Sequence, residues 1–246
     1  MTEWDPYALA ALHHRAEALR DHHVISWIEQ TTQQMWRPNA ARYEPSELSD
    51  TTRGIATMAM ENLRERLLAD YRSADSPWRQ RGVRVTVPQG SLLIQAAATN
   101  VHLVKARGVH VHDPTWSEFA WDSSITRSAA AASNTAVYRP AASQPDDQLA
   151  IPLHHHTDDA QASQLLREVF LVWGGDTAGR TAGWIGFPCT DKQRWLAVEA
   201  LWRDDDMDTS ADLNASGRAL DGPSFSARPA PEAVVALKRR EDRAGQ

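Results

Sequence analysis

Val169-Phe170-Leu171-Val172-Trp173 runs through Gly174-Gly175-Asp176-Thr177-Ala178-Gly179-Arg180 and on into Gly183-Trp184-Ile185-Gly186-Phe187. Two short apolar runs, rich in β-branched and aromatic residues, flank a segment of glycine and aspartate, which is the composition of a β-hairpin. Thr190 and Gln193 follow at capping-box spacing and predict a helix with Trp195, Val198 and Trp202 on one face. The glycines do not fit a phosphate loop, because the Lys-Ser/Thr pair and the following helix of that motif are missing.

Upstream, the period changes. Asp5 and Pro6 suit an N-cap and first helical position, and Leu12, Ala16, Leu19 and Trp27 trace one face of a helix reaching roughly Gln33. His13-His14 and His22-His23 lie nine residues apart, about 13 Å along such a helix, so they read as surface or cap residues rather than a joint metal site. A second helix is expected from about Ser49 to Tyr71, with Ile55, Met58, Leu63 and Leu67 on its apolar face.

From Val83 the pattern alternates. Val83, Val85 and Val87 make one strand, Leu92-Leu93-Ile94 begins a second, and Val101 to Ala106 and Val109 to His112 predict two more, an antiparallel meander. A helix is expected between Thr115 and Asn134, and a further strand over Ala136 to Arg139. The expected fold is therefore α+β: an antiparallel sheet with N-terminal helices, a C-terminal β-hairpin plus helix, and a disordered tail. Residues 1–203 are expected to form a single domain, helical over 1–75, mainly strand over 80–140, loop over 141–157 and helix-hairpin-helix over 158–203. Residues 204–246, opening on Asp204-Asp205-Asp206, read as a flexible polar tail.

Composition narrows the function classes. The chain has 246 residues, 42% of them hydrophobic, enough for a real core. A net charge of -6 argues against a surface that grips nucleic acid all over. Cys189 is the single cysteine, so neither a disulfide nor a multi-thiolate site can form within the chain. No apolar run approaches the roughly 20 residues of a membrane span, and the first residues lack a signal-peptide pattern, so the expected location is the cytoplasm and no membrane partner is expected. Lysine occurs only at 105, 192 and 238, and the arginine- and alanine-rich remainder points to a GC-rich bacterial genome. Ten tryptophans against four Phe and four Tyr are expected to serve mainly as core residues.

The residues with interpretable chemistry are few. His110, His112 and Asp113 place two imidazoles and a carboxylate at strand spacing, a candidate set for a divalent transition metal, with Glu118 as candidate catalytic base and His155, from His154-His155-His156, as a further ligand. Trp78, Arg79, Arg81 and Arg84 form the densest basic-aromatic cluster and are a candidate contact for nucleic acid. The order of helix, strands, helix and strand is compatible with a restriction-nuclease-like topology. Strands two and three, however, offer Gln95 and Lys105 without the acids that chemistry needs. The leading expectation is a regulatory or interaction protein that acts by binding, its partner a protein. The rivals are a metal-dependent hydrolase centred on His110, His112 and Asp113, and a nucleic-acid-binding protein.

Overall fold

Residues 4–119, 121–138 and 160–204 are described by a computed structural model, and they belong to one compact unit. The fold is α+β, with helices and a six-stranded, mostly antiparallel sheet. Helix α1 spans Pro6–Asp21, α2 Val24–Ala41, α3 Thr52–Arg72 and the short α4 Pro77–Gln80. Strands β1 (Arg84–Thr86), β2 (Leu93–Ala96) and β3 (Thr99–Lys105) come next, then α5 (Ile125–Val137), and finally β4 (Glu168–Gly175), β5 (Thr181–Pro188) and β6 (Trp195–Arg203). Among the described residues no helix is long and apolar enough to cross a membrane.

Local chemistry explains most boundaries. Asp5 caps α1, its carboxylate accepting from the Tyr7 and Ala8 amides at 3.1 and 2.9 Å. The single helix expected to Gln33 is two helices, because His23 adopts a left-handed φ of 58° and breaks the ladder. Thr51 caps α3 and Ser124 caps α5. The strand expected over Ala136 to Arg139 is instead the end of α5, with Tyr138 just beyond it and Arg139 outside the described residues.

The strands lie in the order β1-β2-β3-β4-β5-β6. Every neighbouring pair is antiparallel except β3 and β4, which run parallel with Lys105 opposite Trp173. The meander therefore stops at β3, and α5 lies in the crossover to β4, as a parallel connection requires. Both faces of the sheet are covered. Val101, Leu103, Leu171, Trp173, Ile185 and Trp202 face a core shared with α1, α2 and α3. Val104, Phe170, Val172, Trp184, Trp195 and Val198 face a second core closed by α5 and the 111–121 segment. That double coverage is why every residue of β5 is buried and the strand reads as a continuous apolar run.

The hairpin is present, and its turn is built by Asp176. The carboxylate accepts from the Ala178 and Arg180 amides at 3.1 and 3.0 Å and pairs with the Arg180 guanidinium at 2.7 Å. Gly179 supplies the φ of +83° that the turn needs. The helix expected after Thr190 is not formed; Trp195–Arg203 is strand β6, paired with β5. The pairing slips between Gly183 and Trp184 and again between Phe187 and Pro188. The slip between Phe187 and Pro188 lets Trp195 and Val198, an odd three residues apart, share one core, while Trp202 reaches the other core, as its odd separation of seven from Trp195 requires in a strand. Thr190 accordingly caps no helix and binds the Thr135 hydroxyl of α5.

Glycines of the hairpin strands act as seats for indoles. A Cβ at Gly175 would lie 2.4 Å from the Trp36 ring, at Gly183 2.2 Å from Trp202, and at Gly186 2.7 Å from Trp195. Gly183→Ala is therefore expected to destabilise by about 1–3 kcal/mol through overpacking. Urea midpoints check it, and in a Trp202→Ala background, where the colliding ring is gone, the same change is expected to cost less than about 1 kcal/mol.

The loop expected over 141–157 and the tail beyond Asp204 lie outside the described residues. Asp204 itself, one residue past β6, is anchored to the fold, accepting from the Thr181 amide at 2.8 Å and from Gln33 at 2.7 Å.

Candidate functional site

Where β3 ends, the chain leaves the sheet and lines a cleft of about 760 Å³ between α3, the 107–119 segment and α5. The strand expected over Val109 to His112 is not formed. Gly108 takes a φ of +80°, and Val109 and Val111 join different cores, so alternation does not govern these residues. The His110 and His112 rings nevertheless lie side by side, their planes 15° apart and their centroids separated by 6.2 Å. Both line the cleft, as do Asp113 and Glu118, the latter from a single 3₁₀ turn at Trp116–Glu118.

Asp113 is engaged elsewhere. Its Oδ1 accepts from the Trp184 indole at 2.9 Å and from the Arg203 guanidinium at 2.7 Å. Among the described residues no three His, Cys, Asp or Glu side chains come together to hold a metal ion, and His155 lies outside those residues. Of the expected set, His110, His112, Asp113 and Glu118 line the cleft, the two imidazoles with nearly parallel planes.

Positive charge dominates the rest of the lining. Arg53 comes from the first turn of α3, Lys105 from the last position of β3, Arg107 from the following bend and Arg127 from the first turn of α5. Among the described residues none of the four pairs with a carboxylate. Arg127 donates to the Leu103 carbonyl at 3.2 Å, and burial lowers its basicity. Lys105 is the most confined. Its ammonium lies 5.0 Å from the centre of the Trp36 ring and 5.1 Å from that of Trp173, and donates to the Ala106 and Gly108 carbonyls at 3.3 and 3.0 Å. Burial pulls its pKa from 10.5 down to about 8.

Two helices also begin at this cleft, and their N-terminal dipoles add to the positive potential. Among the described residues two carboxylates, Asp113 and Glu118, line the cleft against four cations, and Asp113 is already paired with Arg203. Such a lining favours an anion, and its arginines suit a planar carboxylate or a phosphate group.

In the expected nucleic-acid cluster Arg79, Arg81 and Arg84 are exposed, and Trp78 is half-buried. Trp78 stacks on Trp27 at 4.4 Å, Arg81 lies over the Trp78 ring at 5.3 Å, and Arg79 donates to the carbonyls of Ser73 and Ala74. Cys189 is buried, which pushes its thiol up to about 11, so it behaves as a small packed residue.

Sequence reasoning missed Arg53, Arg107 and Arg127 as site residues and noted Lys105 only as a lysine without its acids. No protein-family model, curated protein or solved structure matches the chain.

Proposed function

We propose that this protein acts by binding, as a regulatory or interaction module, and that the cleft at the end of β3 receives an anionic group of its partner. One observation carries this reading: among the described residues, four cationic side chains from three separate stretches of chain line one cleft against two carboxylates, one of which is already paired with Arg203. Its volume lies within the range of ordinary ligand pockets, roughly 300–1,000 Å³.

Calorimetric titration with inorganic tripolyphosphate tests it. Binding is expected at low salt, weakening as salt rises. Arg53→Ala and Arg127→Ala are each expected to weaken it about tenfold, the lower end for a charge-assisted hydrogen bond. No heat at low salt, or affinities unchanged in both variants, would overturn the reading.

A second reading keeps the metal-dependent hydrolase, because His110, His112 and Glu118 line the same cleft. It requires a zinc, iron or manganese ion that co-purifies in stoichiometric amount and is lost on His110→Ala with His112→Ala. Metal analysis of the purified full chain decides between the two.

A further inference from the structure

Lys105 stands apart from every other charged group described. It is held at the mouth of the sheet by the pairing of β3 with β4, which sets it opposite Trp173. Trp36, the second indole beside it, is fixed by its own hydrogen bond to the Asp176 carbonyl at 2.9 Å and by its seat on Gly175. The amine thus has two rigid apolar walls and two carbonyl acceptors and, among the described residues, pairs with no carboxylate; it lines a cleft with the guanidiniums of Arg53, Arg107 and Arg127. A desolvated lysine beside other cations is an activated nucleophile.

We propose that Lys105 captures the carbonyl carbon of an aldehyde that carries a phosphate or carboxylate, forming an imine within the cleft. The proposal rests on the anion-binding reading for its anchor: Arg53, Arg107 and Arg127 hold the charged end while the amine meets the carbonyl. The lone pair of the neutral Nζ attacks the carbonyl carbon, and the carbon–oxygen π pair moves to oxygen. A proton passes from nitrogen to that oxygen, giving a carbinolamine. Loss of the hydroxyl with one more proton releases water and leaves the carbon–nitrogen double bond. Amine and aldehyde become imine and water, and nothing is oxidised or reduced. Glu118 and the two imidazoles line the same cleft and can carry the protons.

Burial also supplies reactive base. With its pKa near 8, about a tenth of Lys105 is neutral near pH 7, roughly 300-fold more than for a lysine at 10.5. Lys192, exposed beyond β5, is an internal control within the same chain.

The full chain is incubated with limiting pyridoxal 5′-phosphate, an aldehyde with a phosphate, then reduced with borohydride and mapped by peptide mass spectrometry. Lys105 is expected to carry at least about ten times the adduct found on Lys192. Lys105→Arg, which keeps the charge, is expected to abolish the imine absorbance while circular dichroism stays unchanged. Equal labelling of the two lysines, or labelling of Lys192 alone, overturns the proposal. Pyridoxal without the phosphate separates this result from the reading beneath it. Selective labelling of Lys105 by both aldehydes alike upholds the nucleophile and removes the anion anchor. Tripolyphosphate binding without labelling at Lys105 retains the anion cleft and overturns the imine.

Discussion

Trp195→Ala is expected to destabilise the fold by about 3–5 kcal/mol, the range for truncating a buried large aromatic. Trp195 is fully buried on β6 and meets Trp116, Phe119, Trp121 and Phe170 edge-on at ring separations of 5.4, 5.7, 5.1 and 5.8 Å. Its indole also donates to the Trp116 carbonyl at 3.0 Å, an acceptor that the truncation leaves unpaired. The cavity left among these four rings adds its own cost to the lost burial. A melting temperature lower by roughly 6–20 °C is the corresponding thermal result for a domain of this size. Trp195→Phe keeps an aromatic body and loses the donor, so it is expected to cost far less. A loss below about 1.5 kcal/mol for the alanine variant would show that the second core is not organised around this ring.

The effect reaches the cleft because of where those partners lie. Residues 116–119 have one 3₁₀ turn as their regular structure, and they carry Glu118 and Phe119 into the lining. Their position depends on ring contacts to Trp195 and on the hydrogen bond to Trp116. Loosening this segment moves one wall of the cleft while Arg53 and Lys105, held by α3 and β3, stay in place. Weaker anion binding with an intact far-ultraviolet spectrum is therefore the expected signature of Trp195→Phe at temperatures well below its transition.

The hairpin was legible because its cues are local: two apolar runs and an aspartate-glycine turn lie within twenty residues of one another. The same locality misled the reading of its neighbours. Gly175 falls in the segment that reads as the turn, yet it lies in β4 and makes room for the Trp36 indole, far away in the chain, which no short window can display. Trp195 and Val198 share a face at helical spacing because a bulge stretches the strand period of two between them, and Trp202 completes the helical spacing although it faces the other core. The cleft was the least legible part. His110 and His112 announce themselves by adjacency, whereas Arg53 and Arg127 lie on helices separated by the entire β1–β3 meander and become neighbours only through the crossover. Charge that is dispersed along the chain leaves no motif, and only the parallel pairing of β3 with β4 brings α5 back to the end of the sheet where α3 begins.

Lys105→Met is expected to make the protein more stable near neutral pH and less able to bind anions. The folded chain holds the Lys105 pKa near 8, against 10.5 for the free side chain, because burial penalises the ammonium. A lowered folded pKa means that the unfolded chain binds more protons between about pH 8 and 10.5. Stability therefore rises with pH through that window, and below it the whole penalty applies, up to roughly 3 kcal/mol at about 1.4 per pH unit. Methionine has similar length, no charge to desolvate, and a sulfur that packs well on indole. Against the relieved penalty stand the lost attraction to Trp36 and Trp173 and the hydrogen bonds to Ala106 and Gly108. These together offset about half, so a net gain of about 1–2 kcal/mol is expected near pH 7. Urea denaturation of both proteins near pH 7 and near pH 10 checks the sign, because the variant's advantage must shrink as the wild-type amine loses its proton. An advantage independent of pH would mean that burial of charge is not what strains Lys105. The expected pattern, stability gained and anion binding lost at one position, is that of a residue retained for what it binds rather than for what it holds together.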